Sequence, residues 1–68
     1  MFSITLNGEL RALPSAPGTV ADLVRALSLQ GKRIAVEKNG EIVPKSSHGV
    51  TPLSPGDKIE VVAAVGGG

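Results

Sequence analysis

Apolar and polar residues alternate at the start of the chain. Phe2, Ile4 and Leu6 are separated by Ser3 and Thr5, and Asn7 follows. A period of two is the mark of a strand with one face buried. Asn7-Gly8 then predicts a two-residue hairpin turn, because a type I′ turn needs positive φ at both central positions. A second strand over about residues 9–13 carries Leu10, Ala12 and Leu13, a pattern that leaves its inward face ambiguous. After the breaker Pro14-Ser15-Ala16-Pro17-Gly18 the period changes. Val20, Leu23, Val24 and Leu27 fall at i, i+3, i+4 and i+7, one apolar stripe of a helix. Thr19 is its expected N-cap, Asp22 suits the positive end of the helix dipole, and Gly31 is the expected C-terminal stop.

The period of two returns at Ile34 and Val36. A second Asn-Gly pair, Asn39-Gly40, leads into Ile42 and Val43 and predicts a second hairpin. Residues 46–56 are polar and rich in turn formers, so they read as a loop. The segment Pro55-Gly56-Asp57 then opens a last strand, in which Ile59, Val61, Ala63 and Val65 point one way and Glu60, Val62 and Ala64 the other.

The order is therefore strand, strand, helix, strand, short strand, strand. Two hairpins and one crossover helix have to share a single sheet with the helix on one face. The simplest arrangement sets the first and last strands side by side and parallel at the centre. This is an α+β fold of β-grasp layout: a mixed sheet of four to five strands with one helix packed on one face. Residues 1–65 form the expected domain and residues 66–68 a glycine tail.

Composition narrows the chemistry. Sixty-eight residues make one domain with a marginal core, because a chain of this length buries only about 60% of its unfolded surface. There is no Cys and one His, so neither disulfides nor a metal cage is expected to support it. Phe2 is the sole aromatic residue, and the core has to be aliphatic. The net charge is +1 with no basic run, which argues against nucleic-acid binding. No apolar stretch reaches the ~20 residues that span a bilayer, and the N-terminus lacks the pattern of a signal peptide. The expected compartment is the cytoplasm.

Catalytic candidates are few. Ser46, Ser47 and His48 are neighbours in sequence, which is not the spatial geometry a triad needs. His48 is expected to be exposed and idle. Glu37, Glu41, Asp57 and Glu60 are spaced like solvent-facing charges. The expectation is a non-enzyme with no catalytic residue, no metal site and no bound cofactor.

The remaining feature is the close of the chain, Val61-Val62-Ala63-Ala64-Val65-Gly66-Gly67-Gly68. Glycines lack a Cβ, so three of them form a thin arm that reaches roughly 10 Å when extended. Such an arm can carry a carboxylate into a narrow site on another protein; a linker is the competing reading. Val62 and Ala64 raise a second question. They are apolar on the face opposite the helix, where a half-solvated sheet is normally polar. A docking patch beside the arm would account for them.

The segment from Ile34 to Ser46, above all Asn39-Gly40-Glu41-Ile42-Val43-Pro44, the Gly56-Asp57 turn and the closing glycines resemble the sulfur-carrier proteins of thiamine biosynthesis, the ThiS family of ubiquitin-like β-grasp proteins. The resemblance covers nearly the whole chain. It implies that Gly68 is adenylated and converted to a thiocarboxylate, with Gly66 and Gly67 threading into partner sites. It implies three partners: a ubiquitin-activating-like adenylyltransferase that consumes ATP, a sulfur donor protein, and thiazole synthase as acceptor. The alternatives are the small subunit of molybdopterin synthase, with the same chemistry and another acceptor; a plain β-grasp interaction module; and a ubiquitin-like modifier.

Overall fold

The computed structural model describes residues 2–13 and 15–63. Strands β1 (Phe2–Leu6) and β2 (Glu9–Leu13) form the first hairpin, helix α1 (Val20–Ala26) crosses over, and β3 (Ile34–Lys38) and β4 (Glu41–Val43) form the second hairpin. A 3-10 turn at Lys45–Ser47 and a loop lead to β5 (Lys58–Ala63). The sheet order is β2-β1-β5-β3-β4. β1 runs parallel to β5, with Thr5 beside Lys58 and Leu6 beside Ile59, and β5 pairs antiparallel with β3 on its other side. The central parallel pair is thus built from the first and last strands, as the element order predicts.

Both hairpin turns take positive φ at each central residue, 51° and 84° at Asn7-Gly8 and 53° and 88° at Asn39-Gly40. This matches the type I′ requirement that made the Asn-Gly pairs informative. Register then decides which side chains face the helix. Phe2, Ile4 and Leu6 of β1 lie opposite Leu13, Arg11 and Glu9 of β2. Leu13 therefore joins the core side, while Leu10 and Ala12 stand on the outer face, which resolves the second strand's ambiguous pattern.

The core is aliphatic. Ile4, Leu6, Val20, Leu23, Val24, Val36, Val43, Leu53 and Ile59 are buried together, and Phe2, Leu13, Leu27, Leu29, Ile34 and Val61 pack around them. Every strand and the helix contribute to this set, so the helix stripe is covered by the sheet as the sequence requires.

The helix is short, and its first turn is fully satisfied. The Thr19 hydroxyl accepts from the Asp22 amide at 3.3 Å while Asp22 Oδ2 accepts from the Thr19 amide at 3.2 Å, a reciprocal capping box. The amides of Val20 and Ala21 donate to the Thr51 and His48 carbonyls of the loop, both at 2.9 Å. No amide of the first turn is left without a partner. Gly18 enters this turn at φ +91°, and a Cβ there would lie 2.8 Å from Asp22 Oδ2, so the position needs glycine twice over.

The stop falls earlier than Gly31. Ser28 takes φ 60°, its amide donates to the Arg25 carbonyl at 3.0 Å, and the Leu29 amide donates to the Val24 carbonyl at 2.9 Å. That is a Schellman motif with Ser28 in the left-handed position. The apolar partner it calls for is Leu29, which packs against the core. Burial of Leu29 outweighs the modest cost of a left-handed serine, while Gly31, at φ +82°, serves the following turn.

Leu23 is the anchor of the helix at 1% exposure. Leu23→Ala is expected to cost about 2–4 kcal/mol, a large part of the stability of so small a domain. Leu10→Ala, on the outer face, is expected to change it by less than about 0.5 kcal/mol. Urea unfolding followed by circular dichroism measures both; equal losses would show that the helix face is misassigned.

Candidate functional site

The site expected from the sequence is the outgoing end of β5 with the outer face beside it. β5 lies between β1 and β3, and its burial fades along its length. Ile59 is fully buried, Val61 half-buried, and Ala63, the last described residue before the tail, exposed. Val61 and Ala63 keep the inward register that the alternation predicts. They emerge because β1 has already turned away at Asn7, opposite the middle of β5. Val62 stands on the outer face at 57% exposure, as expected. Ala64, Val65, Gly66, Gly67 and Gly68 lie outside the described residues, and with them the boundary at residue 65.

The outer face shows what else surrounds Val62. Its cross-strand partner is Ala35. In the next row Glu60 faces Glu37, and Glu37 faces Ile42 of β4. Ile42 is 72% exposed. An apolar surface therefore brackets two carboxylates that oppose each other, an arrangement that destabilises a sheet. Lys58 sits diagonal to Glu37, yet neither glutamate forms an ion pair among the described residues. Ile42 was not singled out as a surface candidate. The signal was available: a two-residue turn at Asn39-Gly40 sets Glu37 opposite Ile42, and Val36 in the core sends both outward.

Asp57 corrects the reading of the acidic residues as solvent-facing. It is buried at 8% exposure. Its Oδ2 accepts from the Ser54 amide at 2.8 Å, its Oδ1 accepts from Asn39 Nδ2 at 3.1 Å, and Lys38 Nζ lies 3.9 Å from it. The carboxylate closes the turn before β5 and ties it to the second hairpin. The Asp57 amide donates to the Ser54 carbonyl at 3.1 Å, so Ser54 and Asp57 exchange two hydrogen bonds across Pro55-Gly56.

His48 is likewise neither exposed nor idle. It is half-buried, with Nε2 3.1 Å from the Val43 carbonyl, a contact that makes Nε2 the donor. Its own carbonyl caps the helix at Ala21. The Ser47 carbonyl accepts from the Thr51 hydroxyl at 2.7 Å. The Ser-Ser-His run is thus a brace between the loop, β4 and the helix. Among the described residues no cluster of His, Asp or Glu could hold a metal ion, and no helix is long and apolar enough to cross a membrane. The groove at the end of β5 is lined by the basic Arg11, Lys32 and Arg33 together with apolar residues that include Leu27, Leu29 and Ile34.

Comparison with known proteins gives this geometry its context. The ThiS family model matches residues 4–68. The sulfur carrier protein ThiS of Bacillus subtilis is 37% identical over 65 residues, covering 96% of this chain and 98% of that protein. A thiazole synthase of Paramagnetospirillum magneticum is 46% identical over 67 residues, which cover 98% of this chain; the chain spans only 20% of that relative. Among solved structures, the crystal structure of the thiamine biosynthesis protein ThiS from Geobacter metallireducens superposes with a TM-score of 0.85 at 30% identity, covering 98% of this chain and 100% of that one.

Two substitutions separate bracing from display. Asp57→Ala orphans the Ser54 amide and the Asn39 side chain and is expected to cost about 1–3 kcal/mol. Glu60→Ala relieves the opposition to Glu37 and is expected to leave stability unchanged or raise it by about 0.2–1 kcal/mol. Thermal melts of the two variants should rank in that order, and the reverse order would overturn the assignment. The ubiquitin-like β-grasp fold, the register of its central strand and the family match over nearly the whole length agree: the chain belongs to the ThiS family.

Proposed function

We propose that this chain is a sulfur carrier of thiamine biosynthesis that works by presenting the carboxylate of Gly68 to partner enzymes. The observation that carries the reading is that the family match runs through the closing glycines, which follow the central strand of the sheet in sequence. A strand held on both sides is a stiff base for a thin arm. The chain itself does no catalysis; its part is to hold, reach and be recognised.

The chemistry follows from the weakness of a carboxylate as an electrophile. Its oxygen attacks the α-phosphorus of ATP on an adenylating enzyme, and pyrophosphate leaves. A persulfide on a donor protein then attacks the acyl carbon, and AMP leaves with the bonding electron pair. A second thiol cleaves the S–S bond of the resulting acyl disulfide, taking the donor sulfur into a disulfide and leaving the terminal sulfur on the acyl carbon. The product is a thiocarboxylate on Gly68. Gly66 and Gly67 keep the approach free of side chains, so that a narrow site closes on the reacting carbon without meeting a Cβ. The third glycine lengthens the arm. Thiazole synthase is the proposed acceptor, and the long relative of that name that contains a stretch similar to this chain supports it. ATP binds the activating enzyme, not this domain, and the reading places the cycle in the cytoplasm.

The outer face is the proposed dock for the activating enzyme. Val62 and Ala64 supply apolar contact beside the arm, and Ile42 extends the apolar area. The Glu37–Glu60 opposition supports the same assignment, since a cationic side chain of the partner placed between them removes the repulsion that folding leaves in place.

Two variants test the proposal. Removal of Gly68 should abolish ATP–pyrophosphate exchange with the adenylating enzyme and leave the melting curve unchanged, because the described core is built from residues up to Val61. Full exchange by the shortened chain sinks the carrier mechanism. Val62→Asp should weaken binding of that enzyme at least tenfold, since it places a charge in a desolvated contact, with little change in the free domain. Unaltered binding in titration calorimetry would move the dock elsewhere.

A further inference from the structure

The backbone pairing of β1 with β5 ends before β5 does. The Thr5 amide donates to the Asp57 carbonyl and the Asn7 amide to the Ile59 carbonyl, each at 2.9 Å. The next polar groups of β5 on this side belong to Val61, and by then the first hairpin has turned at Asn7-Gly8. The Asn7 side chain takes over. Its Oδ1 accepts from the Val61 amide at 2.8 Å, and its Nδ2 donates to the Val61 carbonyl at 3.1 Å. One side-chain amide thus imitates the next peptide of β1 and satisfies both polar groups of a residue 54 positions away in sequence. Val61 is held on one side by Asn7 and faces Val36 of β3 on the other. It is the last β5 residue tied to the β1 side among the described residues.

We infer that Asn7 is a positioning residue for the C-terminal arm: its side chain extends the central pairing to Val61 and so fixes the direction in which β5 leaves the sheet. This rests on the carrier reading for its functional half. Turn formation explains why residue 7 is asparagine or glycine, but it does not explain both hydrogen bonds to Val61. Asn39 provides the internal comparison. It occupies the same place in the second turn, and its Oδ1 accepts from the Lys58 amide at 2.9 Å. Asn39 therefore pins the entry of β5, whereas Asn7 pins the exit. An arm that starts from a fixed exit samples fewer directions and enters a partner's channel more often per encounter.

Glycine separates the latch from the turn, since it accepts positive φ and has no side chain. In Asn7→Gly the Val61 amide should exchange with deuterium about five- to tenfold faster than in the parent, the scale of losing modest hydrogen bonds. ATP–pyrophosphate exchange with the adenylating enzyme should show KM for the carrier raised severalfold and kcat unchanged. Asn39→Gly should shift the melting temperature comparably but leave the Val61 amide and KM as in the parent. Asn7→Asp, which keeps the acceptor for the Val61 amide and loses the donor to its carbonyl, should fall between. Unchanged Val61 exchange in Asn7→Gly overturns the latch. Faster exchange with unchanged KM overturns its role in placing the arm. A parent chain that supports no pyrophosphate exchange refutes the carrier mechanism and this positioning role with it, while the amide measurement still decides the latch.

Discussion

The structure depends on holding β5 in the middle of the sheet. Its partner β1 comes from the opposite end of the chain, so the central pairing closes a loop of more than fifty residues and has to repay that entropy. The backbone overlap is short, with two residue pairs in register. What secures it lies around it. Ile4 and Ile59 meet at the join with no exposure, the helix covers them through Val20 and Leu23, and the Gly56 amide donates to the Ser3 carbonyl at 2.8 Å just before the strand begins. These contacts join segments from both ends of the chain and its middle. The domain should accordingly fold as one cooperative unit, at the pace expected of non-local pairing.

The long polar loop before β5 is part of that closure. It offers one buried apolar side chain, Leu53, and otherwise works through its backbone and the polar side chains of His48, Thr51 and Asp57. The carbonyls of Thr51 and His48 take the first amides of the helix, and the Leu53 amide returns to the Gly18 carbonyl at 2.9 Å. A segment that looks like filler in composition is therefore a wall of the fold. A small domain without cysteine gains order from hydrogen bonds between a loop and a helix end, where a larger one would use more core.

How much of this was legible depends on the range of the interactions. Both hairpins follow from local turn chemistry, and the helix start follows from Thr19 and Asp22, three residues apart. The order of elements was enough to predict the parallel pairing of first and last strands. The misreadings share a cause. Ser28, Asp57 and His48 behave as they do because of partners that pattern alone does not identify: the core that buries Leu29, the Asn39 side chain across the sheet, and the Val43 carbonyl of another strand. At the site, the exposure of Val62 followed from alternation. Ile42 needed the hairpin register to be carried through to the outer face, and the contact of Asn7 with Val61 needed the tertiary fold itself.

The two Asn-Gly turns show how so short a chain meets several demands with few residues. Each asparagine is first a turn residue, chosen because it tolerates positive φ. Each also lies where its strand runs out beside β5, so its amide faces backbone groups that have lost their neighbour. A side chain that resembles a peptide is the natural substitute. Glycine at these positions would make the turn and leave β5 unpaired at one end; a larger polar residue would pair less well and resist the turn. Placing asparagine at both turns completes the pairing of β5 at its entry and its exit, and the outer face stays free of any bracing role. Surface that does not brace the fold is free to be shaped by what it has to meet.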